Sequence, residues 1–528
     1  MLDLWISDAT IVDGTGAASY RASVGIVGGR VAIIRRGAPQ PTGSPDAAAT
    51  IAAEGLTLAP GFIDVHNHSD MAPFVVPDMP STIRQGVTTV VVGNCGASPL
   101  PASSAAELAS WAGGDREHPH GRAFDSFGEF LAQVERARPA VHIASLVGHG
   151  SVRELAMGLE RRPPTAGELI TMRELVSDAL DAGALCLSTG LIYVPGMHAE
   201  TGEIVALAEE AARAGGIYAS HIRGEGTHLF RAVDEAVEIG RRAGIGVHVS
   251  HLKCETSFVW GQAAELLARV RDAGATGDQY PYAAWASTLS SLLPPWAPVG
   301  ELHEAVSDSG TRTRLVSSIE RGESEGFQSS VDGVGWDRIV IEATADASSN
   351  GCSIAEIAEG RGIEPVEACL ELLLEEPGTS CIGHAMRDDD VRAITADPDV
   401  MVASDGAAVA PDGPMASVPV HPRTYGTFPR VLGPNVREGV LTLERAVRKM
   451  TALPADRFGL TDRGRVTEGS CADLVLFDPA TVADRSTFDR PHTFHDGIET
   501  VIVEGIVAWR RGSNSVERRG RVLRRGGP

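Results

Sequence analysis

The chain is 528 residues long, with 43% hydrophobic residues, 22% charged residues and a formal net charge of −23. That length exceeds one ordinary domain but suits a barrel of ~250 to over 400 residues with a smaller companion. The composition is that of a soluble globular enzyme; the acidic balance disfavours nucleic acid as a partner, and no run of about 18 apolar residues offers a membrane span.

Residues 1 to about 57 alternate apolar and polar around Gly and Asp turns, as in LWISDATIVDG and ASVGIVGGRVAIIRRG, and read as short antiparallel strands. This N-terminus has no basic segment leading into an apolar run, so no secretory signal is expected. The seven cysteines are odd in number and scattered, which suggests no disulfide framework. A reducing, cytoplasmic setting is the expectation.

From residue 58 to about 460 strand-like apolar runs alternate with helical stretches such as TAGELITMRELVSDALDAG. The strand candidates after APGFIDV are TTVVVGN, VHIASLVGHG, ALCLSTGL, GIYASH, GVHVSH, TGDQYPY, SCIGHA and VMVASDG. Repeated βα units with short connections predict an α/β fold, a (β/α)8 barrel. Residues about 286–346 break the rhythm with LLPPWAPVGE, and read either as an insertion forming a lid or as an ordinary long connection. Residues 461–528 return to strand-like patterns, GRVTEGSCADLVLFDP and ETVIVEGIVAWRRG. Neither terminal piece can bury a core alone, so both ends are expected to build one small β-sandwich into which the barrel is inserted. The basic tail after Trp509 is expected to be a solvated terminus.

Six side chains that could bind or work a metal lie in five segments: His66 and His68 in GFIDVHNHSD, Cys95 in VVGNCGAS, His221 in YASHIRGEG, His251 in VHVSHLKC and Asp405 in VASDGAA. All but the loop-like GNCG follow apolar runs, so these donors emerge at strand ends, where a barrel keeps its chemistry. His66 and His68 are two apart and share one face of a strand, and imidazole suits zinc. The glycines beside Cys95 let the backbone turn sharply and bring the sulfur near a metal. Asp405 would be the carboxylate that completes the site, able to take a proton from a metal-bound water, with an N-cap in SDG as the other reading. Lys253, two beyond His251, faces the same way if the strand continues; it could receive an acidic substrate side chain, or point to solvent at the barrel rim.

The segments HNH, GNCG, SH, SH and SDG, with LSTGLIYVPG, DQYPY, HPRTYGTFPRVLG and ADLVLFDPATVADR, resemble the N-acyl-D-amino-acid deacylase (D-aminoacylase) branch of the amidohydrolase superfamily over essentially the whole chain. The resemblance implies zinc-dependent hydrolysis of N-acyl-D-amino acids, small-molecule substrates that yield a carboxylate and a free D-amino acid. It implies a tight zinc site of Cys95, His221 and His251, and a second, weaker one of His66, His68, Cys95 and Asp405. Hydantoinases and dihydroorotases bridge their metals with a carbamylated lysine, so Cys95 points to linear amides. By the same resemblance Asp405 acts as base and then acid, and Arg423 in HPRTYG binds the substrate's α-carboxylate. Tyr193 in LIYVPG is the candidate oxyanion donor, with a packed aromatic as the other reading. Tyr282 in DQYPY is expected to line the pocket, with Arg223 and Glu225 supporting the ligands from behind. The stretch 406–420 looks longer than in better-known D-aminoacylases. Alternatives are a related hydrolase of dipeptides with a C-terminal D-residue or of cyclic amides, and a non-catalytic metal-binding protein. Homo-oligomerisation is left open.

Overall fold

A computed structural model describes residues 1–37, 45–100, 124–297, 299–323, 327–413, 416 and 418–525. The chain opens with three antiparallel strands, β1 (Leu2–Ile11), β2 (Tyr20–Val27) and β3 (Arg30–Arg36). Then β4 (Ala47–Ala52) and β5 (Thr57–Pro60) lie parallel to β1.

The barrel follows. Its strands are β6 (Phe62–Asp64), β7 (Val87–Val92), β8 (His142–Ser145) continued by β9 (Val147–Gly148), β10 (Leu187–Gly190), β11 (Ile217–His221), β12 (Gly246–Val249) and β13 (Thr276–Gln279). Each pairs in parallel with the next. Most of their residues are buried, as strands covered on both faces must be. The helices between them carry ordinary stop and start signals. In the helix Ala166–Ala182, for example, Thr165 and Glu168 form a reciprocal capping box.

Between β13 and the last barrel strand the chain builds a separate antiparallel sheet: β14 (Trp285–Thr288), β15 (Ile339–Ala343) and β16 (Ser380–Gly383), in the order β14-β16-β15. It has its own core, including Leu289, Leu315, Ile339, Ile341, Leu372 and Cys381. This sheet uses chain on both sides of residue 346. SCIGHA, expected as a barrel strand, is its central strand β16 instead. A four-residue apolar run looks the same in either setting, and here its partners run antiparallel.

The barrel's final strand, β17 (Val400–Val402), pairs with β13. A parallel bridge between Asn67 and Gly406 closes the ring onto the chain after β6. Beyond the barrel, β18 (Leu474–Phe477), β19 (Ile498–Val503) and β20 (Ile506–Arg510) complete the terminal sheet, β18 pairing with β5. The fold is thus a (β/α)8 barrel inserted into a β-sandwich made from both chain ends. Side chains from both ends, Ile6, Ile11, Val24 and Leu58 with Leu474 and Ile502, share one core. The basic tail departs from expectation. Val522 and Leu523 form β21, parallel to β8 and buried, because two apolar residues among the arginines find an unfilled strand edge. Among the described residues no helix is long and apolar enough to cross a membrane.

Candidate metal centre and active site

The ligand-bearing segments end their strands in tight, unusual backbone. Cys95, His251 and Asp405 have φ of 52°, 36° and 49°. Non-glycine residues in this left-handed region are uncommon, and they persist where the surroundings over-determine them. Gly190 shows how close the packing is behind the cysteine: a Cβ there would lie 2.0 Å from the Cys95 carbonyl oxygen. The Asp405 N–H donates to the His66 carbonyl at 2.8 Å, fixing the last segment against the first.

All six expected donors converge. Cys95 Sγ lies 3.3 Å from His66 Nε2, 3.5 Å from His221 Nδ1 and 3.6 Å from His251 Nε2. His221 Nδ1 and His251 Nε2 face each other at 2.9 Å. Asp405 Oδ1 is 3.0 Å from His68 Nε2 and 3.4 Å from His66 Nε2. The donor atoms form three overlapping trios, each within 4.8 Å: His66–His68–Cys95, Cys95–His221–His251 and His66–His251–Asp405. A thiol, imidazole nitrogens and a carboxylate aimed at common points form a donor set that suits zinc. Cys95 is shared by two trios, so the residues fit one ion held by Cys95, His221 and His251 and a neighbour held through Cys95, His66 and His68, with Asp405 Oδ1 beside it.

Carboxylates stand behind the imidazoles, as they do behind ligating histidines generally. Glu225 Oε1 is 3.0 Å from His251 Nδ1 and 2.7 Å from Lys253 Nζ, and Glu225 Oε2 is 3.6 Å from His221 Nε2. Asp278 accepts the His251 backbone N–H at 2.9 Å and lies 2.8 Å from His248 Nε2 and 3.6 Å from His66 Nδ1. Asp64 accepts from the Ser404 N–H and from Asn67 Nδ2, both at 2.9 Å, tying β6 to the Asp405 segment. Asp64 and Asp278 were not singled out from the sequence. Their signal is a carboxylate inside an apolar strand, a placement that demands a partner.

Burial raises the Cys95 thiol, but the charge of His66 and hydrogen bonds from the three histidines outweigh it and hold the thiol well below its usual range. Burial likewise opposes the charge on Asp405; Arg423, His66 and His68 prevail and keep it ionised. Burial, with the Cys95 charge beside it, holds the Tyr193 hydroxyl well above its ordinary value, so it stays protonated.

A cavity of about 140 Å³ opens onto these donors and is lined by Tyr193, Lys253, Tyr280, Trp285, Ser287 and Arg423, among others. Arg423 Nη1 donates to Asp405 Oδ2 at 2.7 Å. The Tyr193 ring stands edge-on to His221 at 5.1 Å, and its hydroxyl is 3.4 Å from Ser287 Oγ. Lys253 is buried and paired with Glu225, not solvated at the rim. Arg223 supports the site from farther off, holding the Met197 and Ala199 carbonyls and Glu235, and so fixing the loop that carries Tyr193. Tyr282, expected in the pocket wall, packs outside it, against His421 at 5.4 Å and under Arg430. Its N–H donates to the Tyr280 carbonyl at 3.0 Å, a turn that breaks the strand alternation and sends the ring elsewhere. Tyr280 lines the cavity instead, its ring 4.7 Å from the Arg423 guanidinium carbon and its buried hydroxyl without a hydrogen-bond partner among the described residues.

The chain is similar to known proteins over nearly its whole length. The profile of the Amidohydrolase family matches residues 49–294 and 344–508, passing over part of the inserted sheet region. The chain is 39% identical to N-acyl-D-glutamate deacylase of Alcaligenes xylosoxydans xylosoxydans, covering 99% of this chain and 97% of that one. It is 35% identical to D-aminoacylase of the same organism, covering 99% and 98%. A crystal structure of N-acyl-D-glutamate deacylase from Bordetella bronchiseptica, complexed with zinc and a phosphonate that mimics the tetrahedral intermediate, superposes with a TM-score of 0.82 at 34% identity, covering 99% and 100%.

Proposed function

The chain belongs to the amidohydrolase family, and we propose that the side chains around Cys95 are its zinc centre and the adjoining cavity its active site. The enzyme is a zinc-dependent hydrolase of linear amides that converts N-acyl-D-amino acids to a carboxylate and a free D-amino acid. One observation carries the assignment of the site: three imidazole nitrogens lie within 3.6 Å of one half-buried thiol, with the Asp405 carboxylate 3.4 Å from one of them.

Zinc bound there supplies Lewis acidity, which polarises a carbonyl and brings a water proton near release at neutral pH. The protein's own groups do the rest. Asp405 takes the proton of the attacking water and returns it to the leaving nitrogen. Arg423, one of whose five N–H donors goes to Asp405, uses others to grip the α-carboxylate. That carboxylate adds negative charge beside Arg423, loosens its hold on Asp405 and makes Asp405 a better base as substrate arrives. The Tyr193 hydroxyl donates to the oxygen that becomes negative in the tetrahedral transition state. The seven free cysteines, Cys95 among them, support a reducing, cytoplasmic setting for a thiol-dependent centre.

The direct test is amine release from paired N-acetyl-D- and N-acetyl-L-amino acids by zinc-loaded protein. Turnover confined to the D-series is expected. Turnover of neither series, with zinc bound, would overturn the reading and turn attention to dipeptides and cyclic amides.

A further inference from the structure

The charges that face the cavity decide what a substrate can carry into it. Leaving aside the metal-ligating histidines, the described walls hold two cations, Lys253 and Arg423, against Glu154, Glu225, Glu255 and Asp405. Both cations are already engaged at 2.7 Å, Lys253 with Glu225 and Arg423 with Asp405. A second chamber of about 240 Å³ meets the first along His68, Ser287, Asp405 and Arg423. Its further walls are largely apolar, with Ala343, Val409 and Val420, and among the described residues its one further charged residue is another acid, Glu342. His421 in that chamber is neutral by its contacts: Nδ1 accepts the Arg423 N–H, and Nε2 donates to the Ala284 carbonyl at 3.0 Å. Burial, aided by the neighbouring Glu225, pushes Glu255 up to about 7, and burial alone pushes Glu342 up to about 7.

An N-acyl amino acid brings one α-carboxylate, which Arg423 takes. Glutamate and aspartate bring a second. Whichever chamber receives the side chain, the described residues offer that second carboxylate no unengaged cation, only neutral hydroxyls such as Tyr280 and Ser291 beside further acids. A carboxylate taken out of water with no opposite charge to meet it is disfavoured. We infer, resting on the deacylase reading, that this enzyme selects N-acyl-D-amino acids whose side chain carries no carboxylate, unlike the N-acyl-D-glutamate deacylase it resembles at 39% identity. Lys253, which the sequence offers as a receiver for an acidic side chain, is a partner of Glu225 and of the ligand His251 instead.

The isosteric pair N-acetyl-D-glutamine and N-acetyl-D-glutamate isolates the charge, with N-acetyl-D-leucine as reference. On zinc-loaded enzyme, kcat/KM for the glutamine substrate should exceed that for the glutamate one by roughly a hundredfold. N-acetyl-D-glutamate should also inhibit leucine turnover only weakly. Equal values, or a preference for glutamate, would overturn the inference while leaving the deacylase reading intact. Failure to turn over any D-substrate would remove that reading and the inference with it. Ser291 lines the same cavity, and Ser291→Arg places a guanidinium there. The variant should narrow the glutamine-to-glutamate ratio at least about tenfold; an unchanged or wider ratio would reject charge as the basis of selection.

Discussion

Cys95 is where the site's donors meet, since three imidazoles approach its sulfur and two ligand trios share it. Cys95→Ala should therefore strip most of the zinc, read as metal content after dialysis. Asp405→Asn should keep the metal and lose ~10²–10⁴-fold in kcat, because it removes the proposed proton carrier and not the Cys95–His221–His251 trio. Retained turnover would take Asp405 out of the mechanism. Glu225 acts one step back, touching His251 Nδ1 and approaching His221 Nε2. Glu225→Gln keeps the shape but weakens orientation of both rings, so zinc affinity measured by chelator competition should fall about 10–100-fold. An unchanged affinity would reduce Glu225 to a partner of Lys253. The six donors were legible because each is a polar residue at or near the end of an apolar run or in a glycine-flanked turn. Asp278 and Tyr280 were not, because their meaning depends on which ring or guanidinium another strand delivers beside them. Tyr282 misled for a local reason: one backbone hydrogen bond, from its own N–H to Tyr280, reverses which tyrosine faces the cavity.

At the level of elements, the barrel strands could be read from runs such as TTVVV and GVHVS because both faces of a parallel strand are buried. The same rule hid β16. SCIG is as apolar as a barrel strand, and only its antiparallel partners β14 and β15 reveal the inserted sheet. The tail shows the opposite failure. Arginine density suggested solvent, yet Val522 and Leu523 pair with β8, the Val522 N–H reaches Glu135 at 2.9 Å, and Gly520 donates to the Pro139 carbonyl at 2.8 Å. Truncation before Arg521 removes this strand and exposes the edge of β8 near the barrel base. Burial of two apolar side chains at ~1.5–3 kcal/mol each puts the expected loss at about 3–6 kcal/mol. The urea midpoint should fall measurably while the zinc content of the folded enzyme stays as it was. An unmoved midpoint would mean that β21 contributes nothing in solution.

Over the whole molecule the net charge of −23 opposes the approach of an anionic substrate, and the fold concentrates the problem by bringing Glu154, Glu255 and Glu342 from distant parts of the chain to the walls of two adjoining chambers. The total was visible in the sequence; its gathering around the cavity required the fold. Arg423 and Lys253 act only at contact range, whereas the general field acts over a Debye length, which shrinks from ~30 Å at 0.01 M salt to ~8 Å at 0.15 M. Screening should therefore help this enzyme. For N-acetyl-D-leucine, kcat/KM should rise several-fold across that salt range with kcat nearly constant, because the barrier lies in encounter and not in chemistry. The corresponding methyl ester carries no charge and should show no such rise, though its KM should be higher without the Arg423 contact. A fall in kcat/KM with salt would mean that the guanidinium and ammonium groups dominate the field at the entrance. The acids around them would then be too well paired or protonated to be felt by an incoming anion.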